Sequence, residues 1–174
     1  MENKTIKDIL SRTSVRKYSD KKVNKSDIDT ILKCAMSAPS AKNMQPWRIV
    51  VITDREILDA IAKEHPYCKM AGLVDYGILV CGDMDKTLDG IEKDFWVQDC
   101  SAMTENILIS AKSLELGAVW VGVYPVQDRM DIFTNLLNTP NNLVPFSFIP
   151  IGYPLRDKEP MDKFREDNIH YNKF

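Results

Sequence analysis

The sequence predicts an α+β fold, a central sheet with helices on both faces, and three observations carry that prediction. Ile28, Ile31, Leu32, Ala35 and Met36 recur at i, i+3, i+4, i+7 and i+8, the stripe of an amphipathic helix. Short apolar runs rich in β-branched residues stand at 47–53, 77–81, 118–123 and 146–151, each bounded by polar or turn-forming residues. Between the second and third runs, Val97 to Leu116 reads as a long helix whose apolar residues extend well round the cylinder, as suits a helix buried at the centre of a fold. A length of 174 residues fits one domain, and with neither an internal repeat nor a linker that domain is expected to span 1–174.

The elements follow in order. Ile6, Ile9 and Leu10 sit at helical spacing, so a short helix opens the chain and ends before the polar run Ser11–Ser14. Asn24 or Ser26 can cap the striped helix, and Pro39 stops it. Ser40–Pro46 is a polar loop, and Trp47–Thr53 is a buried strand. Asp54 caps a helix carrying Ile57, Leu58 and Ile61. Gly77–Cys81 is the second strand, and Gly117 is expected to terminate the long helix. Ala118–Val123 is the third strand, a short helix lies near Met130–Leu137, and Phe146–Ile151 is the fourth strand. Gly152–Phe174 has no clear period yet holds Tyr153, Phe164, Tyr171 and Phe174, aromatic residues that want a surface to cover.

Composition removes several functions. Hydrophobic residues make up 44% and charged residues 28%, an ordinary globular balance, and the net charge of −2 removes the usual electrostatic reason to expect nucleic-acid or membrane-surface binding. No run approaches the ~18 apolar residues of a membrane span. The opening MENKTIKDIL lacks the apolar core of a signal peptide, so a cytoplasmic address is expected. Cys34, Cys68, Cys81 and Cys100 lie far apart beside apolar residues and read as reduced small hydrophobes. With only His65 and His170, a histidine-rich metal site is excluded, and no metal is expected.

The glycine-rich phosphate loops are missing, as is a G-x-S-x-G elbow. A bound phosphate would therefore need cationic side chains and hydroxyls. Arg12, Ser14 and Arg16 alternate and in extended backbone point to one side, where guanidinium forks and a hydroxyl match a phosphate monoester. A solvated basic turn is the plainer reading of the same residues, and the same holds for Lys163-Phe164-Arg165. The loop Ala38–Arg48 is fixed by two prolines and places Ser40, Asn43 and Gln45 where a planar heterocycle could be recognised; its plainer reading is a turn with Trp47 as core.

Four motifs in order make a resemblance specific: R-T-S-V-R, A-P-S-A-K-N-M-Q-P-W-R, L-E-L-G-A-V-W-V-G, and G-Y-P with K-F-R beyond it. Over essentially the whole chain the sequence resembles the nitroreductase family of FMN-dependent oxidoreductases, in its short form. The resemblance implies a mixed, mainly antiparallel sheet, an intertwined homodimer with FMN at the interface, and a tail, 153–174, that wraps the partner. It places Arg12, Thr13, Ser14 and Arg16 at the FMN phosphate and ribityl end, with Lys163 and Arg165 closing on the phosphate. Pro39, Ser40, Ala41 and Asn43 would meet the flavin from the other subunit. Gly122 and Val123 would turn backbone N–H groups toward the reactive edge of the ring. Many relatives carry an asparagine and a lysine before the second strand to bond the pyrimidine; here that stretch is Pro66–Ala71, and Lys69 is the matching cation. Asp83–Trp96 is short beside the helical excursion of longer relatives, and Phe95 and Trp96 either stack over the flavin or pack in the core.

The implied activity is hydride transfer from NAD(P)H through FMN to nitroaromatic, quinone or activated-alkene acceptors, with the cofactor carrying the electron chemistry and no side chain assigned as catalytic. Alternatives are other reduced-flavin chemistry, dehalogenation or flavin fragmentation, and a non-catalytic FMN-binding sensor or carrier. Neither the acceptor nor the preference between NADH and NADPH is readable from the sequence.

Overall fold

The computed structural model describes residues 3–156 and 158–174; the first two residues of the opening stretch and one position of the tail, 157, lie outside that description. Helix α1 is Lys4–Ser11, started by Asn3, whose side chain accepts the Ile6 N–H at 3.3 Å. Helix α2 is Lys25–Met36, with Asn24 rather than Ser26 at the N-cap position. It buries Ile28, Ile31 and Ala35, three residues of the sequence stripe. Asp54 starts α3, Arg55–Glu64, by accepting the N–H groups of Glu56 and Ile57 at 2.8 and 3.3 Å.

Helix α4 runs Phe95–Ser113 and buries one broad face from Trp96 to Ala111, with all its other positions half-buried except the exposed Phe95 and Gln98. Its end differs from the expectation at Gly117. The chain leaves the helix at Leu114, and Glu115 takes the left-handed conformation at φ 62°. Gly117 instead begins a strand, where the Val15 side chain lies 2.7 Å from the position a Cβ would occupy. Close packing of the N-terminal segment, not helix termination, explains that glycine. Helix α5, Gln127–Leu137, starts before the expected Met130 and closes on Asn138 in the left-handed conformation.

The strands are β1 (Trp47–Ile52), β2 (Tyr76–Asp83), β3 (Gly117–Ala118), β4 (Val121–Gly122) and β5 (Leu143–Gly152). The sheet order is β1-β2-β5-β3, with β4 also on β5, and every ladder is antiparallel. Pairings Gly117 with Gly152, Ala118 with Ile151, Val121 with Phe148 and Gly122 with Ser147 keep one register. β3 and β4 are thus two halves of one edge strand, the third run of the sequence. The one parallel pairing among the described residues joins Ser14 to Ala118.

Alternation along the strands divides the core between the two faces. Ile78 and Val80 of β2 face a cluster with α2 and α4 that holds Ile31, Met103 and Ile107. Leu79 and Cys81 face a second cluster with α3 and α5 that holds Leu58, Ile61 and Phe133. Burying each large side chain contributes roughly 1.5–3 kcal/mol. Cys68, Cys81 and Cys100 are buried and unpaired, and Cys34 is half-buried. Among the described residues no helix is long and apolar enough to cross a membrane, and no cluster of ligating side chains could hold a metal.

Candidate functional site

Two neighbouring hollows meet along the N-terminal segment. Val15 donates its N–H to Ala118 O at 3.0 Å, tying residues 14–15 to the free side of the edge strand. Tyr18, buried, anchors the other end by donating its hydroxyl to Val15 O at 2.8 Å and Pro150 O at 3.2 Å. Burial pushes that phenol well above its ordinary pKa, so it remains a donor. The segment between is fixed. Arg12, Thr13, Ser14 and Arg16 line a cleft of about 710 Å³ together with the exposed residues 158–164, Lys163 among them. The cleft brings Arg12, Arg16, Lys158 and Lys163 together against Glu159 and Asp162, an excess of positive charge. Arg12 is steadied by Glu105 of α4 at 3.6 Å.

Arg16 also lines a second cavity of about 430 Å³, with Trp120, Gly122, His65, Tyr67 and Arg129. One wall is the outer side of the edge strand. Backbone groups alternate across a strand, and the bonds reveal which residues face which way. Val123 donates its N–H to Phe146 O at 3.2 Å, hence toward β5, while Ala118 O and Gly122 O accept bonds from outside the sheet. Trp120 and Gly122 therefore turn their backbone groups into the cavity. Of the expected pair Gly122 and Val123, only Gly122 can offer an N–H there; Val123 is buried and its N–H is taken.

The loop before β1 lies apart from both hollows. Pro39, Ser40 and Ala41 line a separate crevice with Phe95, Gln98 and Asp99. Lys42, Asn43 and Gln45 hold positive φ of 48°, 55° and 49°, each strained for a residue with a side chain. The strain is held in place by neighbours. The Ala41 N–H donates to Asp99 Oδ1 at 3.0 Å, the Gln45 N–H donates to Ser40 Oγ at 3.0 Å, and Lys42 pairs with Glu92 at 2.7 Å. Asp99, which sequence reasoning did not single out, holds this loop; burial raises its pKa, and the Ala41 N–H pulls the other way.

Other expectations resolve individually. Trp96 is core, edge-on to Tyr124 at 4.8 Å and Phe146 at 5.7 Å, while Phe95 stays partly exposed in the Pro39 crevice. Lys69 opens a turn after α3, is exposed, and lines neither hollow. Arg165 is exposed, its Nη1 donating to Phe164 O at 2.8 Å, and stands outside the cleft that Lys163 lines. The start of the tail stays on its own subunit: Ser19 donates to Tyr153 O at 2.9 Å, and Leu155 to Lys17 O at 3.0 Å.

The family model for the nitroreductase family matches residues 9–70 and 70–153. The chain belongs to the nitroreductase family. A relative from Archaeoglobus fulgidus, provisionally named an NADH dehydrogenase/NAD(P)H nitroreductase, is 44% identical over 97% of this chain and 98% of its own. A crystal structure from Bacteroides thetaiotaomicron with the same provisional name is 41% identical, covers 100% of both chains and superposes at a TM-score of 0.94. A provisionally named nitroreductase from Desulfovibrio desulfuricans, solved in complex with FMN, is 28% identical over 100% of this chain and 99% of its own, at a TM-score of 0.84. The antiparallel sheet with helices on both faces is the architecture of this nitroreductase family.

Proposed function

We propose that this member of the nitroreductase family is an FMN-dependent NAD(P)H oxidoreductase, acting on nitroaromatic, quinone or activated-alkene acceptors as a homodimer. The observation that carries the reading is Arg16, shared by the cationic cleft and the strand-edge cavity. A ligand with an anionic tail and a flat polar ring, joined by a short chain, fits both hollows at once. The donor set fits FMN: guanidinium forks, hydroxyls and an ammonium suit a phosphate monoester, and outward backbone groups at Trp120 and Gly122 suit a ring edge carrying nitrogens.

FMN, when bound, supplies two-electron transfer from NAD(P)H to the acceptor. The protein binds and orients it. Arg12, Thr13, Ser14 and Lys163 hold the phosphate end, Arg16 bridges to the ring, and Gly122 presents its N–H at the ring edge. Pro39, Ser40, Ala41 and Asn43, remote from the hollows of their own chain, meet the ring in the second subunit, and Asp99 keeps that strained loop preformed. Arg165 and the tail beyond Leu155 close over the site once the two subunits are together.

Purified protein mixed with FMN, separated on a sizing column and then reduced anaerobically with NADH or NADPH tests the reading. A yellow dimer that bleaches with either nucleotide, and recovers its colour on adding a quinone or nitroaromatic, is expected. A colourless monomer in excess FMN overturns it, and halide release from a halogenated phenol would move the chemistry to dehalogenation.

A further inference from the structure

Between the edge strand and α5 stands a group of side chains that phosphate binding leaves without a task. Arg129 reaches back from α5 so that Nη1 donates to Gly122 O at 3.0 Å, with its guanidinium 5.0 Å from the centre of the Tyr67 ring. Among the described residues no carboxylate pairs with it. Tyr67 is itself held by His65, whose Nδ1 accepts the Tyr67 N–H at 3.3 Å. An imidazole accepting at Nδ1 carries its proton on Nε2. That Nε2 is buried without a hydrogen-bond partner, in a residue only 1% exposed. Arg129, Tyr67, His65 and Gly122 all line the cavity that Arg16 shares with the anion cleft.

Arg129, half-buried beside the cavity, is a cation that no carboxylate neutralises among the described residues. That unneutralised charge decides which end of a flavin enters. The dimethylbenzene end has no acceptor to offer. The pyrimidine end carries two carbonyl oxygens, and it gains negative charge when the ring takes two electrons and one proton from the nicotinamide donor. We propose that Arg129, clamped between Gly122 O and the Tyr67 ring, is the cation at the pyrimidine end and binds reduced FMN more tightly than oxidised FMN. The proposal rests on the FMN reading above and moves onto α5 a role that the sequence pattern gave to Lys69. A cation fixed by a carbonyl and a ring needs little reorganisation when charge arrives, which is the condition for strong electrostatic stabilisation.

The test compares wild-type holoprotein with Arg129→Gln, Arg129→Lys and Lys69→Ala. FMN affinity is read by fluorescence quenching, and the potential of bound FMN by anaerobic dye equilibration. For Arg129→Gln, oxidised FMN is expected to bind within about threefold of wild type, while the preference for reduced over oxidised FMN falls about tenfold, ~30 mV for a two-electron couple. Arg129→Lys and Lys69→Ala are expected to keep that preference within about threefold. An unchanged potential in Arg129→Gln with FMN still bound overturns this proposal and leaves the FMN site standing, as does a tenfold loss in Lys69→Ala. Should the neutral variant shed FMN, Arg129→Lys decides: a preserved preference supports the role of charge, and a tenfold loss overturns it. A wild-type protein that takes up no FMN overturns the site itself.

Discussion

The sheet and the C-terminal stretch 158–174 are held by opposite means. Every residue of β2 after Tyr76 is buried, and Phe148, Ile149 and Ile151 of β5 are sealed between two layers of helix. From Lys158 to Phe174 every residue is exposed, including Met161, Phe164, Ile169, Tyr171 and Phe174. The bonds within that stretch are local, such as the Phe164 N–H to Asp162 Oδ1 at 2.9 Å. The body carries its own folding energy in each chain. The tail carries apolar area that stays exposed on this chain, as do Ile6, Ile9 and Leu10 of α1.

The contrast can be broken most severely by removing 158–174. With Lys163 and Arg165 gone, two charge-assisted contacts are lost at roughly 1.5–3 kcal/mol each. FMN binding should weaken at least hundredfold and the dimer should loosen, while far-UV circular dichroism is unchanged; loss of the helical signal would show that the tail helps to fold the body. Phe148→Ala strikes the other side. It should cost about 3–5 kcal/mol in urea unfolding, by opening a cavity between Phe133 and β2. Arg12→Ala, where body and tail meet, should weaken FMN by about 1.5–3 kcal/mol and leave riboflavin, which lacks the phosphate, nearly unaffected in the same titration. Asp54→Ala removes a cap far from the site and should cost about 1 kcal/mol of stability without moving FMN affinity.

The smallest effect is a slope with pH. Burial first, and the nearby Arg129 charge second, hold the His65 pKa below its ordinary 6.5. The unfolded chain then takes up a proton at a pH where the folded chain stays neutral. The stability is fully present above about 6.5 and is lost as pH falls from there toward the depressed folded value. Melting temperatures between pH 7 and 5 should fall less steeply for His65→Gln than for wild type.

How far the sequence could be read depends on whether a signal is local. The stripe of α2 and the Asp54 cap are properties of adjacent residues, and the structure places both as read apart from the exposed Met36; Arg12, Ser14 and Arg16 line one cleft, but Thr13 between them lines it too. The end of α4 was hidden because Glu115, neither glycine nor asparagine, takes the left-handed turn, while Gly117 answers to Val15 a hundred residues away. Lys69 lay at a motif's spacing but points to solvent, whereas Arg129 reaches the cavity only because α5 folds back on the edge strand. Val123 shows the same limit, since which of two adjacent N–H groups is free is decided by register on β5.

The buried cysteines have a chemical consequence. Burial raises the thiol pKa of Cys68 and Cys81 to about 12 and that of Cys100 higher still, so almost no thiolate exists at neutral pH. Thiols held in that state are poor nucleophiles toward electrophiles that alkylate sulfur. In the native state only Cys34 should answer to a thiol reagent, and all four once denaturant is added.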